Sequence, residues 1–456
     1  MKNIYYLCDE SNVNIVGNKF KNLQVIHDLN IPTPYACLVL QDITKEDISN
    51  ILLDYEKPLI VSVRSSPNIS MPGMLETILN VGFNDDIANK LLIKTNNFNF
   101  VYSNYLNFVE KFVNLSCDIG KLDYDKLGDI DYVNLINTYK QEYFNKTKTL
   151  FPEDIETQIY LSIKCIINSK YSKRCSYYLK ANNIEDKLNI GVIIQKMVFG
   201  NVSDNSMSGV VFSRNPITGK NKIYGEFLYN SLGENIVNSK SNNYNISDIE
   251  NTKQYTLLEE YTKKIEKYFK KVQDIEFCIE NKKVYILQCR NLKLVKKIEN
   301  LIIRDMIQEN IISRDEVDID DLCFILKFDE KATYKKVIAH GIPVSNGVLV
   351  GKIVFKEEDI TDLNEKYILV KEYTTPDDIE LINKVHGIIT TKGGSTSHAA
   401  IISRNNNKVC ITCISNMIVN NEQVSFNNNK LVCGDIISID GNFGNIYMGE
   451  IPIIKE

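Results

Sequence analysis

A multidomain chain of mixed α/β and α+β class is what the sequence predicts, and three observations carry that expectation. Between Lys366 and Arg404 the order is strand, capped helix, strand, glycine turn, helix, which describes a compact α/β domain. In QDIEFCIENKKVYILQCR, residues 273–290, apolar positions alternate with polar ones on both sides of a short polar stretch, which reads as a β-hairpin. From Asn99 to Leu115, Val101, Tyr105, Phe108 and Phe112 recur at helical spacing, which marks an amphipathic helix. A length of 456 residues accommodates roughly two to four domains.

Composition narrows the function classes. Hydrophobic residues at 44% and charged residues at 24% are ordinary for a soluble globular chain. A net charge of -5 with dispersed lysines and arginines offers no general basic surface, so no nucleic-acid partner is expected. No apolar run reaches the roughly 18 to 20 residues of a spanning helix, and MKNIYYLCDESN lacks the apolar core of a signal peptide. No membrane association and a cytoplasmic location are the expectations. The 11 cysteines are scattered and odd in number, which favours reduced core thiols over disulfides. Cys410 and Cys413 form a CxxC without a second pair at metal spacing, and core strand positions account for them.

Along the N-terminal half, Gly17-Asn18-Lys19 opens a helical stretch carried by Phe20, Leu23, Ile26 and Leu29 and ended before Ile31-Pro32. Lys19 then sits in the first helical turn, where a solvated lysine is the ordinary reading. Leu59 to Val63 is a short strand that delivers Arg64 to a loop rich in Ser, Asn and Pro, with Gly73 inside it and a helical pattern expected from near Leu75. Such a turn could fold over a triphosphate, Arg64 supplying planar donors to its oxygens. A helix is expected from Pro152 to about Ser169, then a strand from Gly191 to Phe199 that contains Gln195. Gln195 alone reads equally as a polar residue pointing out of a sheet.

With a three-residue loop at Asn281 to Lys283, the hairpin sets Glu276 opposite Gln288 and Asp274 opposite Arg290, all four on one face. Two explanations stand. One is a solvated sheet face with cross-strand ion pairs. The other is a Mg²⁺ and phosphate site, carboxylate oxygens suiting a hard cation and Arg290 neutralising a transferring group.

Residues 293–340 read as a mainly helical connector. Beyond it, Lys366 to Lys371 is a strand, Thr375 an N-cap with Pro376 at the first helical position, and Gly387 to Thr390 the next strand. In TTKGGSTSHAAIISR the glycines 393 and 394 leave that strand and Ala399 to Ser403 forms a helix, with Ser395 or Thr396 as its cap. His398 is thereby placed near a helix N-terminus, where orphan N–H groups and the helix dipole favour an anion. A neutral imidazole there can attack phosphorus, although a satisfied polar histidine fits the same spacing.

GGSTSHAAIISR resembles the phosphohistidine signature of the pyruvate phosphate dikinase and phosphoenolpyruvate synthase family, nearer the dikinase version. GNKFKNLQVIHDLNIPTP, VSVRSSPNISMPGMLETILN, GVIIQKMVFG and the DxE…QxR hairpin are similar to further segments of that family. The resemblance implies an ATP-grasp-like nucleotide-binding domain over 1–292, the connector over 293–340, and a swivelling phosphohistidine domain over 341–456. It implies catalytic roles for His398, Arg290, Lys19 and Arg64. Nucleotide contacts are implied for Lys19, Arg64, Gly73, Thr77, Gln195, Glu276, Gln288 and Arg290, and Mg²⁺ ligands in Asp274, Glu276 and Gln288. ATP is the implied substrate. Thr396 matches a threonine that some dikinases use for regulation, a plain cap being the simpler role.

The similarity runs from Gly17 to Glu450 and stops before the barrel that binds pyruvate and phosphoenolpyruvate in the family, and the segment between Lys19 and Arg64 looks trimmed. A separate acceptor protein with such a barrel is therefore the expectation. Transfer to a different small molecule or protein, and a non-catalytic nucleotide-binding remnant, are the alternatives.

Overall fold

The computed structural model describes residues 2–455 except 42, 56–58, 70, 72–73, 121–130, 182–183, 185–187, 234–242, 295, 317–325, 334–336, 421 and 428. The chain divides into two compact units, Met1–Ser206 with Tyr285–Gln288, and Met207–Val284 with Cys289–Glu456. Each is a mixed α/β body. No helix among the described residues is long and apolar enough to cross a membrane, and every described cysteine is a free thiol.

The first unit is built on a five-stranded antiparallel sheet, in the order Ile4–Tyr6, Ala36–Val39, Ile190–Lys196, Val61–Pro67, Thr77–Val81. Helices Phe98–Cys117 and Ile155–Asn168 cover it, and Tyr132–Thr147 packs on the first of them. Phe108, Phe112, Ile159 and Ile163 from two of them share one buried cluster with Val61, Val63 and Ile194 of the sheet. Burying such side chains contributes about 1.5–3 kcal/mol each. The helices begin where the sequence supplies Asn or Asp: Asn97, Asp131 and Asp154 each accept the N–H of the residue three along.

Two expectations fail here. The helix expected from near Leu75 is instead the strand Thr77–Val81, whose Ile78 and Val81 are buried against the neighbouring strand. A short apolar run fits either period, and sheet pairing decides it. The N-terminal helix also starts earlier, at Val13, and breaks at Gly17, where φ is +74°. There a Cβ would stand 2.3 Å from the Ser66 carbonyl oxygen, so only glycine fits. Helical geometry resumes at Asn18 and leaves Lys19 in a first turn. The Ser66 hydroxyl fixes that start, donating to Val16 O at 2.7 Å and accepting from Phe20 N–H at 3.2 Å.

The second unit holds two large sheets. In the five-stranded sheet the order is Lys283–Asn291, Gln273–Glu280, Met207–Phe212, Tyr224–Tyr229, Tyr244–Asn245, with helix Lys253–Phe269 against strand Gln273–Glu280. The hairpin predicted from alternation is present. Its loop is two residues rather than three, because Asn281 and Lys282 both take positive φ, +47° and +71°, as the tight turn matching strand twist requires. The other sheet has eight strands. Val348–Val354, Tyr367–Lys371, Gly387–Thr390 and Val409–Thr412 pair in parallel within it, and helix His398–Asn405 packs on the last two. Cys410 lies in the buried strand as expected, whereas Cys413 is exposed beyond it with φ +55°.

Arg214 is the largest fully buried side chain among the described residues. Its Nη2 donates to Glu266 Oε1 at 3.0 Å and to Glu309 Oε2 at 2.5 Å, while Ser213 Oγ donates to Glu266 Oε2. A buried pair of this kind contributes little over an apolar replacement, but breaking it strands a charge. Arg214→Ala is expected to lower stability by about 3–5 kcal/mol, read from the urea unfolding transition, because Glu266 is only 1% exposed.

Candidate functional site

In the first unit the site begins with Arg64 on the strand Val61–Pro67, paired to Thr77 on one side and Ile193 on the other. Its Nη1 donates to Gln195 Oε1 at 3.0 Å and its Nη2 to Gln288 Oε1 at 2.9 Å. These two acceptors are neutral amides, and their bonds orient the guanidinium fork. Gln195 and Gln288 are buried at 2% and 6% exposure, which locks both partners. The structure therefore brings together Arg64, Gln195 and Gln288, with Thr77 alongside in the register. Lys19 is half-buried in the first turn after the Gly17 break. Gly73 lies outside the described residues.

The second unit holds Asp274, Glu276, Arg290 and His398. Asp274 and Glu276 stand two apart on strand Gln273–Glu280 and so share one side of it. Asp274 Oδ2 accepts from Arg290 Nε at 2.7 Å, with Nη2 also at 2.7 Å. The Asp274–Arg290 contact expected of the hairpin is thus present as an ion pair. The Asp274 carboxylate beside it raises the Arg290 pKa, Glu276 adding to the effect. Among the described residues no three His, Cys, Asp or Glu side chains gather as a metal cage. A cation there would rest on the two carboxylates and on oxygens from elsewhere, the donor set that suits Mg²⁺ bound with phosphates.

His398 is the first residue of the helix His398–Asn405. The cap is Ser397, which accepts from Ala400 N–H, and neither Ser395 nor Thr396. Those two point elsewhere, because the Glu226 carboxylate of strand Tyr224–Tyr229 takes their donors. Its Oε1 accepts Ser395 N–H at 2.8 Å and Ser395 Oγ at 3.0 Å, and its Oε2 accepts Thr396 Oγ1 at 3.1 Å. Asn243 Nδ2 completes the set at 2.9 Å. The glycine turn makes the approach possible: a Cβ on Gly394 would lie 2.1 Å from Glu226 Oε1.

Two more residues meet at this helix start. Arg404 reaches back from the last turn so that Nη2 donates to the Ser395 carbonyl. Its guanidinium carbon lies 5.3 Å from the Phe212 ring centre. Burial drives its pKa down to about 10, against the opposing pull of Asp274. The imidazole is buried at 8% exposure, and its Nδ1 lies 3.0 Å from Thr374 Oγ1.

Sequence reasoning missed Glu226, Thr374 and Arg404 as parts of this cluster. Thr374 had a usable signal. It follows the C-terminal end of a strand that lies parallel to the one leading to His398, where open α/β sheets gather functional groups. Glu226, in YGEFLYN, carried none.

Fold and site together define a multidomain α/β chain with Arg64 on an antiparallel sheet in one unit and, in the other, a parallel α/β arrangement with a histidine at a helix start. Residues 22–255 and 239–311 match the pyruvate phosphate dikinase AMP/ATP-binding domain, and residues 363–444 the mobile domain of PEP-utilising enzymes. The chain is 34% identical over 467 residues to a pyruvate, phosphate dikinase of Rickettsia typhi, covering 94% of this chain and 53% of that protein. It is 34% identical to pyruvate, phosphate dikinase 2 of Oryza sativa subsp. japonica, covering 88% and 49%. For pyruvate, phosphate dikinase 2 of Zea mays the identity is 33%, covering 90% and 50%. The chain belongs to the pyruvate phosphate dikinase family, and it spans about half the length of these relatives.

Glu226→Ala removes the acceptor of the buried Ser395 N–H. An unsatisfied buried donor costs about 1–3 kcal/mol, so native-state hydrogen exchange at the Ser395 amide is expected to quicken about 5- to 150-fold.

Proposed function

We propose that the chain is an ATP-dependent phosphotransferase that charges His398 and relays the phosphoryl group to an acceptor on a separate chain. On this reading it is the ATP-half of a pyruvate phosphate dikinase, the acceptor carrying a barrel that binds pyruvate and yields phosphoenolpyruvate. The observation that carries the reading is His398 at the start of a helix within the matched mobile domain. A nucleophilic histidine there meets oriented N–H groups and a favourable dipole. Residues 1–292 would form an ATP-grasp-like domain, 293–340 the connector, and 341–456 a domain that swings between nucleotide and acceptor.

The roles follow the family resemblance, and for Arg64 and Arg290 their hydrogen-bond partners support them. Arg64, oriented by two amides, offers its fork to phosphate oxygens. Lys19, with Thr77 and Gly73, would border the same phosphates, and Gln195 and Gln288 hold Arg64 in place. Arg290 neutralises charge on the group in transit, kept protonated by Asp274. Asp274 and Glu276, with Gln288, would hold Mg²⁺, which would supply charge neutralisation. The imidazole nitrogen donates its lone pair to phosphorus as the bond to the leaving phosphate oxygen breaks, the electron pair departing with that oxygen.

Incubation with Mg²⁺ and ATP labelled in turn at the β and γ phosphates tests this. One label is expected on the protein as an acid-labile adduct, absent in His398→Ala, whose nucleotide affinity stays largely unchanged. Arg64→Ala is expected to weaken ATP binding about tenfold or more, by calorimetry, since it removes charge-assisted hydrogen bonds. A wild-type chain that binds ATP yet takes neither label overturns the proposal.

A further inference from the structure

We infer that the ion pair of Glu76 with Lys111 is a positioning device for the nucleotide phosphates: it fixes the start of strand Thr77–Val81 and so sets where Thr77 stands beside Arg64. This rests on the phosphate role proposed for Thr77 and Arg64 and deepens it. Thr77 pairs with Arg64 in the register, and residues directly opposite in an antiparallel pair share a face. The strand that carries Thr77 is the last of its sheet. It has a strand neighbour on one side only, so side chains from elsewhere decide where its first residues lie.

Alternation along the strand assigns each residue its side. Val63 and Ile78, which also pair, lie in the core shared with the covering helices. Thr77 and Arg64 therefore turn to the opposite face, while Glu76, two before Ile78, turns to the helices. There Lys111 Nζ donates to Glu76 Oε2 at 2.6 Å, with the glutamate side chain 16% exposed and the lysine 39%. The backbone is held at the same residue: Glu76 N–H donates to Ser169 Oγ at 3.4 Å, and that hydroxyl donates to Ile166 O at 2.7 Å.

Lys111 ends a polar stripe on helix Phe98–Cys117, which packs along this strand. Asn104, Asn107 and Lys111 recur at spacings of three and four and so line one face. Asn80 Nδ2 donates to Asn104 Oδ1 at 3.3 Å and to Asn107 Oδ1 at 3.1 Å. Past the other end of the strand, Gly82 N–H donates to Oε1 of the buried Gln158 at 2.8 Å, and Gln158 Nε2 donates to Phe83 O and Pro152 O, each at 2.9 Å. That end is tied by neutral hydrogen bonds and the start by a charge pair. A partly exposed pair adds little to global stability. Its effect falls on the residue next to it, which is Thr77.

Calorimetry on the full chain with Mg²⁺ provides the test, with ATP and adenosine as the probes. Lys111→Met removes the charge and keeps an apolar stem; it is expected to weaken ATP binding about two- to fivefold with little change in the urea midpoint. Adenosine, which has no phosphates, is expected to bind this variant as it binds wild type. Glu76→Gln should lose as much ATP affinity, the double substitution should lose no more than either single one, and Lys111→Arg should restore most of it. A Lys111→Met chain that binds ATP as tightly as wild type overturns the inference. So does an equal loss of adenosine affinity, or a double substitution whose loss is the product of the two single ones. Wild type that binds no ATP overturns the nucleotide reading and this inference with it. Wild type that binds ATP yet takes no label overturns the phosphotransfer reading alone, and the affinities still decide the role of the pair.

Discussion

Parallel pairing of Tyr367–Lys371 with Gly387–Thr390 is the constraint on which the histidine site depends. Parallel neighbours end on the same edge of a sheet, so the loops that leave them are forced side by side. One loop carries Thr374 and the other runs through the paired glycines to His398. Residues 24 positions apart in sequence thus meet at 3.0 Å. Both strands are buried, and that burial holds the register from which the contact descends.

Charge is handled differently at each centre. Arg214 is matched by the carboxylates of Glu266, on helix Lys253–Phe269, and of Glu309, and has a structural character. Arg64 is aimed by neutral amides, and Arg290 by one carboxylate. Arg404 is charged, largely buried and tied to a backbone carbonyl, which is why burial lowers its proton affinity. Glu226 is the counterpart among the anions, a carboxylate wrapped by a backbone N–H, two hydroxyls and an amide. Those donors all come from neutral groups, the kind that suits an anion without fixing its identity.

Much of this was legible in the sequence where one local period dominated. Strand Gly387–Thr390, the helix that begins at His398, the Thr375–Pro376 start and the hairpin around Asn281 were all readable, because alternation, glycine pairs and capping residues act over a few positions. The misreadings share a cause. Thr77–Val81 became a strand because a neighbouring strand claimed it. Ser397 caps the helix, while Glu226, 169 residues from Ser395, takes the donors of the two candidates that precede it. Glu226, Thr374 and Arg404 are defined by what they touch across the fold. Family resemblance, not periodicity, singled out Lys19, Gly73 and Thr77.

The break at Gly17 ties two cations to one strand. Ser66 lies two residues past Arg64, so both point from the same side of the pleat, and its hydroxyl grips the helix turn that presents Lys19. The spacing of the two backbone positions that carry Lys19 and Arg64 is therefore gauged by a strand and a single serine oxygen. The ruler is set at its backbone ends, and the lysine's flexible stem is the part of it that can adjust.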